Sequence, residues 1–328
     1  MPRIALSQVF LNTGGRNPEG AHARRRPGAH GVVNKMELAG SLFAKIVETL
    51  LILLPSAIGF AIAFAVLSLF SSQACNPGRP WWRNPGLATD ICYMLIIPFV
   101  APYMRISLMI AGAAALSGVM TADEISDYFE FGRGPLAALP FWAQVLVYVV
   151  ASDFLLYWTH RLFHGARLWR FHAIHHSAEE VDWTTAYRFH PVNLWLGSFL
   201  VTALMLFLGI SPTVLLFLVA FDTTTAAFVH ANLNWTLGPL KYVVATPVFH
   251  RWHHTPLDQG GNSNFGSLLS VWDVLFGTFY MPAHALPGHY GIDDASFPTG
   301  FIGQTVHPFR DLVESAVPDR VKSHPPAL

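Results

Sequence analysis

Apolar positions in this chain come in long unbroken runs, unlike the alternation of a half-buried strand or the one-sided stripe of a surface helix. Ile46 to Phe70 is interrupted chiefly by Glu48 and Pro55. At about 1.5 Å per residue it is long enough to cross a hydrocarbon core of about 30 Å. Ala88 to Met120 is also apolar but too long for one crossing, and Pro98, Pro102 and Arg105 fall in its middle. The pattern predicts a tight hairpin of two short helices there. Leu136 to Trp158 follows the acidic, glycine-rich connection "TADEISDYFEFGRG" and predicts another spanning helix. Two further runs, Leu194 to Ile210 and Pro212 to Val229, meet at "GISP", a turn signal, and predict a short transmembrane hairpin. No strand pattern and no internal repeat interrupts these runs. The fold class predicted is an all-α integral membrane protein, with multi-pass helices topped by a helical cap.

Composition agrees with this reading. Of 328 residues, 52% are hydrophobic and 12% charged, against about 25% charged in soluble domains. Lysine plus arginine equals aspartate plus glutamate at 20 each, and no basic stripe interleaved with aromatics is present, so no nucleic-acid partner is expected. The cysteines, Cys75 and Cys92, are too few for a disulfide framework or a thiolate metal site and allow at most one bridge. The first 35 residues of the segment 1–40, with "ARRRPGAHG" at Ala23 to Gly31, lack the apolar core of a signal peptide. They read as a flexible basic tail, the alternative being that translation starts at Met36. The expected organisation is then transmembrane helices over 41–158, a histidine-bearing catalytic region over 159–290 that includes the hairpin 194–229, and a C-terminal tail over 291–328.

The last apolar helix before the hairpin runs straight into histidines. Ten of the sixteen histidines lie between His160 and His254, in a spaced order. His160 and His164 form HxxxH; His172, His175 and His176 form HxxHH; His190 sits in "RFHPVN" and His230 in "FVHANLNW"; His250, His253 and His254 form a second HxxHH. On a helix, positions i, i+3 and i+4 share a face, so each cluster can aim ring nitrogens at one point. Neutral imidazole suits iron, zinc, copper and nickel. A pH switch would not require these spacings. The clustered histidines exceed what one ion can take, so a pair of metal ions is implied. The carboxylate-bridged bundle with paired Glu-x-x-His motifs is absent, so the pair is held in a histidine-rich way.

Two crossings between His190 and His230 return the chain to the side it left, which makes the clusters one site. Basic residues set the side. Arg24, Arg25 and Arg26 precede the first span, and Arg161, Arg167, Arg170 and Arg188 lie among the histidines. Both regions are expected in the cytoplasm. That requires Ala88 to Met120 to cross twice with Arg105 at its inner turn, and leaves Arg79 and Arg83 outside, against the rule.

The stretches "DFLLYWTHRLFH", "FHAIHHS", "RFHPVN", "HRWHHT" and "NFGSLLSVWDVLFGTFY" together resemble the fatty acid hydroxylase and sterol desaturase superfamily of integral-membrane non-haem di-iron oxygenases. The resemblance covers roughly Ala88 to Tyr290. It implies two iron ions on the cytoplasmic side with His160, His164, His172, His175, His176, His230, His250, His253 and His254 as ligands, and His190 and Asn264 as neighbouring or pocket residues. It implies dioxygen as co-substrate and a lipid drawn from the bilayer, sterol-like or fatty-acyl, whose C–H bond is hydroxylated or desaturated. Alternatives within the superfamily are ether-lipid (alkylglycerol-type) cleavage and carotenoid hydroxylation. The short termini leave no room for a fused electron-transfer domain, so a separate donor, a reductase, ferredoxin or cytochrome, is expected. Two departures are visible: Asn193 stands where the family often has an acidic residue, and Asn262 where it often has Asp.

Other candidates follow from position. Asp153, about two turns before His160, is expected to accept a hydrogen bond from a ligand ring, or else to be an ordinary interfacial aspartate. Asp222 with Thr223, Thr224 and Thr225 falls within about two turns of His230 and is expected near the metals, or else to serve helix packing. Trp158, Trp169, Trp183 and Trp195 read as interfacial anchors or as a substrate mouth. Asp273 reads as structural. A membrane metal transporter is the distant alternative, disfavoured because transport calls for ligands near the bilayer midplane.

Overall fold

Three helices have the length and composition to cross a membrane in the computed structural model, which describes residues 51, 54–55, 58–67, 69, 80–118 and 121–316. They are α2 (Leu87–Ser117), α4 (Phe141–Phe163) and α6 (Pro191–Leu208). The basic N-terminal tail, most of the first apolar run and Cys75 lie outside the described residues; of that run a short apolar helix α1, Ile58–Leu67, is described. The described elements are helical, with no strand among them.

The double crossing expected for Ala88 to Met120 is not what forms. α2 is one continuous helix of 31 residues that runs through Pro98, Pro102 and Arg105, about 46 Å at about 1.5 Å per residue. Helix interiors in apolar surroundings tolerate proline when neighbours absorb the freed backbone groups, and the charge is absorbed too. Arg105 Nη1 lies 4.0 Å from Asp222 Oδ2, and Tyr148 OH approaches the same oxygen at 3.5 Å. The even count of crossings that put both arginine-rich regions on one side therefore loses its basis.

The hairpin after the histidines forms with a broken return leg. α6 ends at Gly209, and the chain returns through α7 (Pro212–Phe217) and α8 (Val219–His230). The turn is fastened by close backbone packing. Gly209, with φ 80°, abuts Gly134, with φ 151°, so tightly that a Cβ on either would collide with the other's backbone. Leu136 N–H donates to Leu208 O at 2.9 Å, and Ser211 N–H donates to Gln144 Oε1 at 2.9 Å. The helix α3 (Ala122–Phe131), started by a Thr121–Glu124 capping box, meets the same corner: Ser211 Oγ donates to Phe129 O at 2.7 Å. The apolar core between α2, α4, α6 and α7 includes Met109, Tyr148, Val201, Met205 and Val214.

A cap of short helices sits on the histidine ends: α5 (Trp169–His176), α9 (Pro247–His253) and α10 (Val271–Leu275). Two buried arginines tie it together. Arg188 forms a buried ion pair with Asp90 of α2, and Arg251, wholly buried, donates to Val181 O at 2.9 Å and Tyr290 OH at 2.9 Å. The segment read as a C-terminal tail contributes a helix, α11 (Phe301–Ala316), which packs on α5 and α2.

Candidate metal centre

The box histidines sit at the C-terminal ends of four helices that converge. His160 lies in the last turn of α4 and His164 caps it; His172, His175 and His176 occupy α5 up to its final residue; His230 ends α8; His250 and His253 end α9, and His254 caps it. A helix C-terminus carries partial negative charge, so this convergence favours a cation at the meeting point. The nine rings resolve into two groups, His160, His164, His172, His176 and His253, and His175, His230, His250 and His254. Within each group the ligand atoms all lie within 4.8 Å of one another. The three boxes separated in sequence are one site, as the two-crossing argument for the hairpin required.

Hydrogen bonds to the outer ring nitrogens settle what faces inward. A carbonyl oxygen can only accept, so a ring nitrogen bonded to one must carry the proton, and the other nitrogen of that neutral ring is a bare lone pair. His160 Nδ1 donates to Phe265 O at 2.8 Å, His253 Nδ1 to Ser263 O at 2.6 Å, and His172 Nδ1 to Asn193 Oδ1 at 2.7 Å. In the second group His175 Nδ1 donates to Arg188 O at 3.2 Å and His230 Nδ1 to Ala226 O at 2.7 Å. Their Nε2 atoms then face one another without a proton between them: His160 and His172 at 3.0 Å, His175 and His230 at 3.3 Å. Opposed lone pairs in a buried site repel unless a cation lies among them. His164 and His176 leave both ring nitrogens buried without a partner, and His253 leaves Nε2 so. This donor set fits a metal in each group.

The surroundings keep the rings neutral. Burial, the largest cause, and then the neighbouring rings hold His175, His176, His250 and His254 well below the ordinary histidine range; His172 and His253 go the same way. Phe189 stacks on His175 at 4.3 Å. Phe265 packs edge-on to His164 at 5.0 Å, and Trp169 lies 5.1 Å from His164 and from His176.

The "NFGSLLSVWD" segment shows its purpose in this geometry. Asn264 is wholly buried with φ 59°; its amide donates to Phe249 O at 2.8 Å and Tyr280 O at 2.7 Å, and its oxygen accepts from Tyr280 N–H at 2.7 Å. The clamp presents the flanking carbonyls of Ser263 and Phe265 to His253 and His160. Asp273 receives the N–H groups of Phe265 and Gly266 at 2.7 and 2.8 Å, the structural role read for it. Asp153 does not take a ring hydrogen bond: its carboxylate accepts from Leu268 N–H, Leu269 N–H and Trp272 Nε1 at 2.9, 2.9 and 3.0 Å. It anchors the loop that carries Phe265 and so acts at one remove.

Three other expectations are corrected. Asp222 faces Arg105 and Tyr148 instead of the metal groups, because two helical turns carry it away from His230. Thr225 Oγ1 bonds back to Phe221 O at 2.9 Å, ordinary helix chemistry. His190 caps α6, accepting from Val192 N–H at 3.0 Å, and donates to Thr305 O at 3.2 Å; it is spent on the fold. Of the tryptophans, Trp158 and Trp195 are exposed, Trp183 is core with Phe64, and Trp169 alone touches the histidines. Asn193, seen in sequence only as a departure, is the partner of His172. The carbonyl partners escaped sequence reasoning because a backbone oxygen has no residue identity.

A cleft of about 440 Å³ reaches His176 from the surface between Trp169, Arg170, Asp258, Asp293, Phe297 and His307. A smaller one of about 220 Å³ reaches His164 beside Arg161, Asn262 and Phe265.

The fatty acid hydroxylase family model matches residues 145–278. Ornithine lipid hydroxylase OlsE of Rhizobium tropici is 35% identical over 167 residues, covering 51% of this chain and 50% of that protein. Human alkylglycerol monooxygenase is 33% identical over 128 residues, covering 39% and 28%. The Delta(7)-sterol 5(6)-desaturase of Aspergillus fumigatus is 26% identical over 182 residues, covering 53% and 51%. No solved structure matches. The chain thus spans about half or less of the length of these relatives, and the matched family segment holds all nine box histidines together with the loop that orients them. The segment 145–278 is thus similar to the fatty acid hydroxylase family, and to the lipid hydroxylase and monooxygenase relatives that share it.

Proposed function

We propose that the protein is a membrane-bound non-haem di-iron oxygenase acting on a lipid, with one iron held by His160, His164, His172, His176 and His253 and the other by His175, His230, His250 and His254. The observation that carries the reading is the set of inward Nε2 lone pairs, as close as 3.0 Å, whose outer nitrogens are already committed as donors. Reduced iron with dioxygen supplies an oxidant able to attack an unactivated C–H bond. Hydroxylation consumes one O2, two electrons and two protons and releases one water with the alcohol; desaturation consumes the same and releases two waters with the alkene.

The chain's own residues bind, orient and shield. Neutral imidazoles accept the cations without first losing protons. Ser263 O, Phe265 O, Arg188 O and Asn193 fix ring orientation, the ring of Phe189 covers His175, and Trp169 and Phe265 line the clefts that reach His176 and His164. Hydroxylation is favoured over desaturation, because the hydroxylase and monooxygenase relatives stand at 35% and 33% identity against 26% for the desaturase. An alkylglycerol-type reaction is the second reading, supported by alkylglycerol monooxygenases from several animals at 33–35% identity. The two electrons are proposed to come from a reductase, ferredoxin or cytochrome. The arginines beside the boxes, Arg161, Arg167 and Arg170, are the support for a cytoplasmic site.

The test is a comparison of lipid extracts from cells with the wild-type chain and with His175→Ala, grown under ¹⁸O2. A lipid that gains one labelled oxygen atom only with the wild type supports hydroxylation. Loss of two hydrogens without label indicates desaturation. Identical lipid profiles would overturn the oxygenase reading.

A further inference from the structure

Helix α11 leaves an apolar stripe facing outward while its packed face takes in both apolar and polar side chains. Its inward face buries a polar residue: Gln304 is 1% exposed and donates to Ser177 Oγ at 3.0 Å. Its outward face is apolar: Ile302 is 75% exposed and Val306 40%, while Phe309, 48% exposed, borders the stripe and rests on Phe171 and His190. Ile302 and Val306 are i and i+4, one stripe of the helix. Arg310 follows, exposed. An apolar stripe on a helix whose polar side chain is consumed inside matches a surrounding medium that is itself apolar.

The helix is also fastened at a particular level. Phe301 packs edge-on against Tyr93 at 4.7 Å, and just before the helix Thr89 Oγ1 donates to Thr299 O at 2.9 Å. Both partners lie in the first two turns of α2. His190, which caps the start of α6, donates to Thr305 O at 3.2 Å. The outward stripe therefore sits beside the ends of two apolar spans, where hydrocarbon gives way to headgroups. At the same level α2 exposes Ile91 and Leu95.

We infer that α11 lies in the plane of the membrane–water interface, with Ile302 and Val306 seated among lipid acyl chains, Phe309 at the edge of the stripe against Phe171 and His190, and Arg310 at headgroup level. Bilayer lipid is the occupant the geometry favours, since the stripe continues the apolar girdle of the spans and Arg310 is long enough to reach phosphates. One consequence concerns the metal centre. His307 of α11 and the preceding Phe297 line the cleft that reaches His176, so this placement opens the cleft's mouth beside lipid headgroups.

The inference rests on reading α2, α4 and α6 as membrane spans, and the experiment separates the two. In the full chain with Cys75→Ser and Cys92→Ser, a nitroxide is attached at Ile302→Cys, Val306→Cys, Asp293→Cys in the cleft, or Val150→Cys, half-way along α4. The protein is placed in phosphatidylcholine/phosphatidylglycerol bilayers. Accessibility to O2 and to a water-soluble nickel chelate is then read by power saturation. The expected result is an O2-to-nickel accessibility ratio several-fold higher at 302 and 306 than at 293. A ratio at 302 and 306 equal to that at 293, with 150 reading as lipid, would put α11 in water and overturn this inference alone. Exclusion of both reagents from 302 and 306 would mean that a protein surface covers the stripe, and would overturn it too. A water-like reading at 150 would overturn the membrane reading and the inference together.

Discussion

Asn193 offers a sharp test of how the five-histidine group is held. Its Oδ1 accepts from His172 Nδ1 at 2.7 Å, and His172 is 2% exposed. Replacing Asn193 by leucine keeps the bulk and removes the acceptor. The metal-free protein escapes the loss: the imidazole shifts its proton to Nε2 and donates to His160 Nε2, 3.0 Å away. The metal-bound form cannot, because its Nε2 is committed inward, and it keeps an orphaned buried N–H costing about 1–3 kcal/mol. At about 1.4 kcal/mol per decade this is about 5- to 150-fold in affinity, which brackets the roughly 10- to 100-fold loss usual when a ligand's outer partner is removed. Asn193→Asp should act oppositely, since an ionised acceptor makes the hydrogen bond about twice as strong. Purified wild type, Asn193→Leu and Asn193→Asp are dialysed against graded chelator and metal is counted. The leucine variant should release one of its two ions at about one to two decades less chelator than wild type, and the aspartate variant should hold that ion longest. The reasoning fails if the leucine variant keeps both ions as firmly as wild type, or loses both together.

Asn264→Ala removes three hydrogen bonds from a wholly buried side chain at positive φ, and should cost at least about 3 kcal/mol at about 1–3 per orphaned group, seen as a lower thermal midpoint in detergent with metal loss. Asp90→Asn breaks one side of the buried pair with Arg188 and should destabilise by about 3–5 kcal/mol, read the same way. Thr225→Ala, despite its place near His230 in sequence, should leave metal content and thermal midpoint unchanged within error. The buried histidines have folded pKa values below the ordinary 6.5. The unfolded chain therefore binds more protons than the folded one below that pH. Stability of the metal-free protein should be full above pH 6.5 and fall steadily as pH drops beneath it; a flat profile between pH 7 and about 5 would contradict the burial of these rings.

What the chain revealed in one dimension was mostly periodicity. The i, i+3, i+4 spacing of His172, His175, His176 and of His250, His253, His254 translates directly into rings sharing a helix face, and "GISP" marks the turn that brings His230 back. The reading of α2 failed because a local rule, proline breaks helices, was set against a tertiary fact, the Arg105–Asp222 pairing, that sequence order does not display. Two helical turns likewise set Asp222 beside Arg105 instead of beside His230. The ring hydrogen bond expected for Asp153 does not form, because the donors to its carboxylate include backbone N–H groups 115 and 116 residues away. α11 was hidden for another reason: apolar side chains lie on its packed face at Phe301 and on its outward face at Ile302 and Val306, so the pattern gives no sign of which is buried until its contacts with Tyr93 and Ser177 are known.

The account turns on two metal ions held by two distinct histidine groups. The most direct measurement is metal content of the full chain purified in detergent, beside His253→Ala and His175→Ala. The account predicts about two irons per chain in wild type and about one in each single variant, with a different ion lost in each, because His253 belongs to the five-histidine group and His175 to the four-histidine group. Absence of stoichiometric metal from the wild type, or metal content unmoved by either substitution, would contradict it.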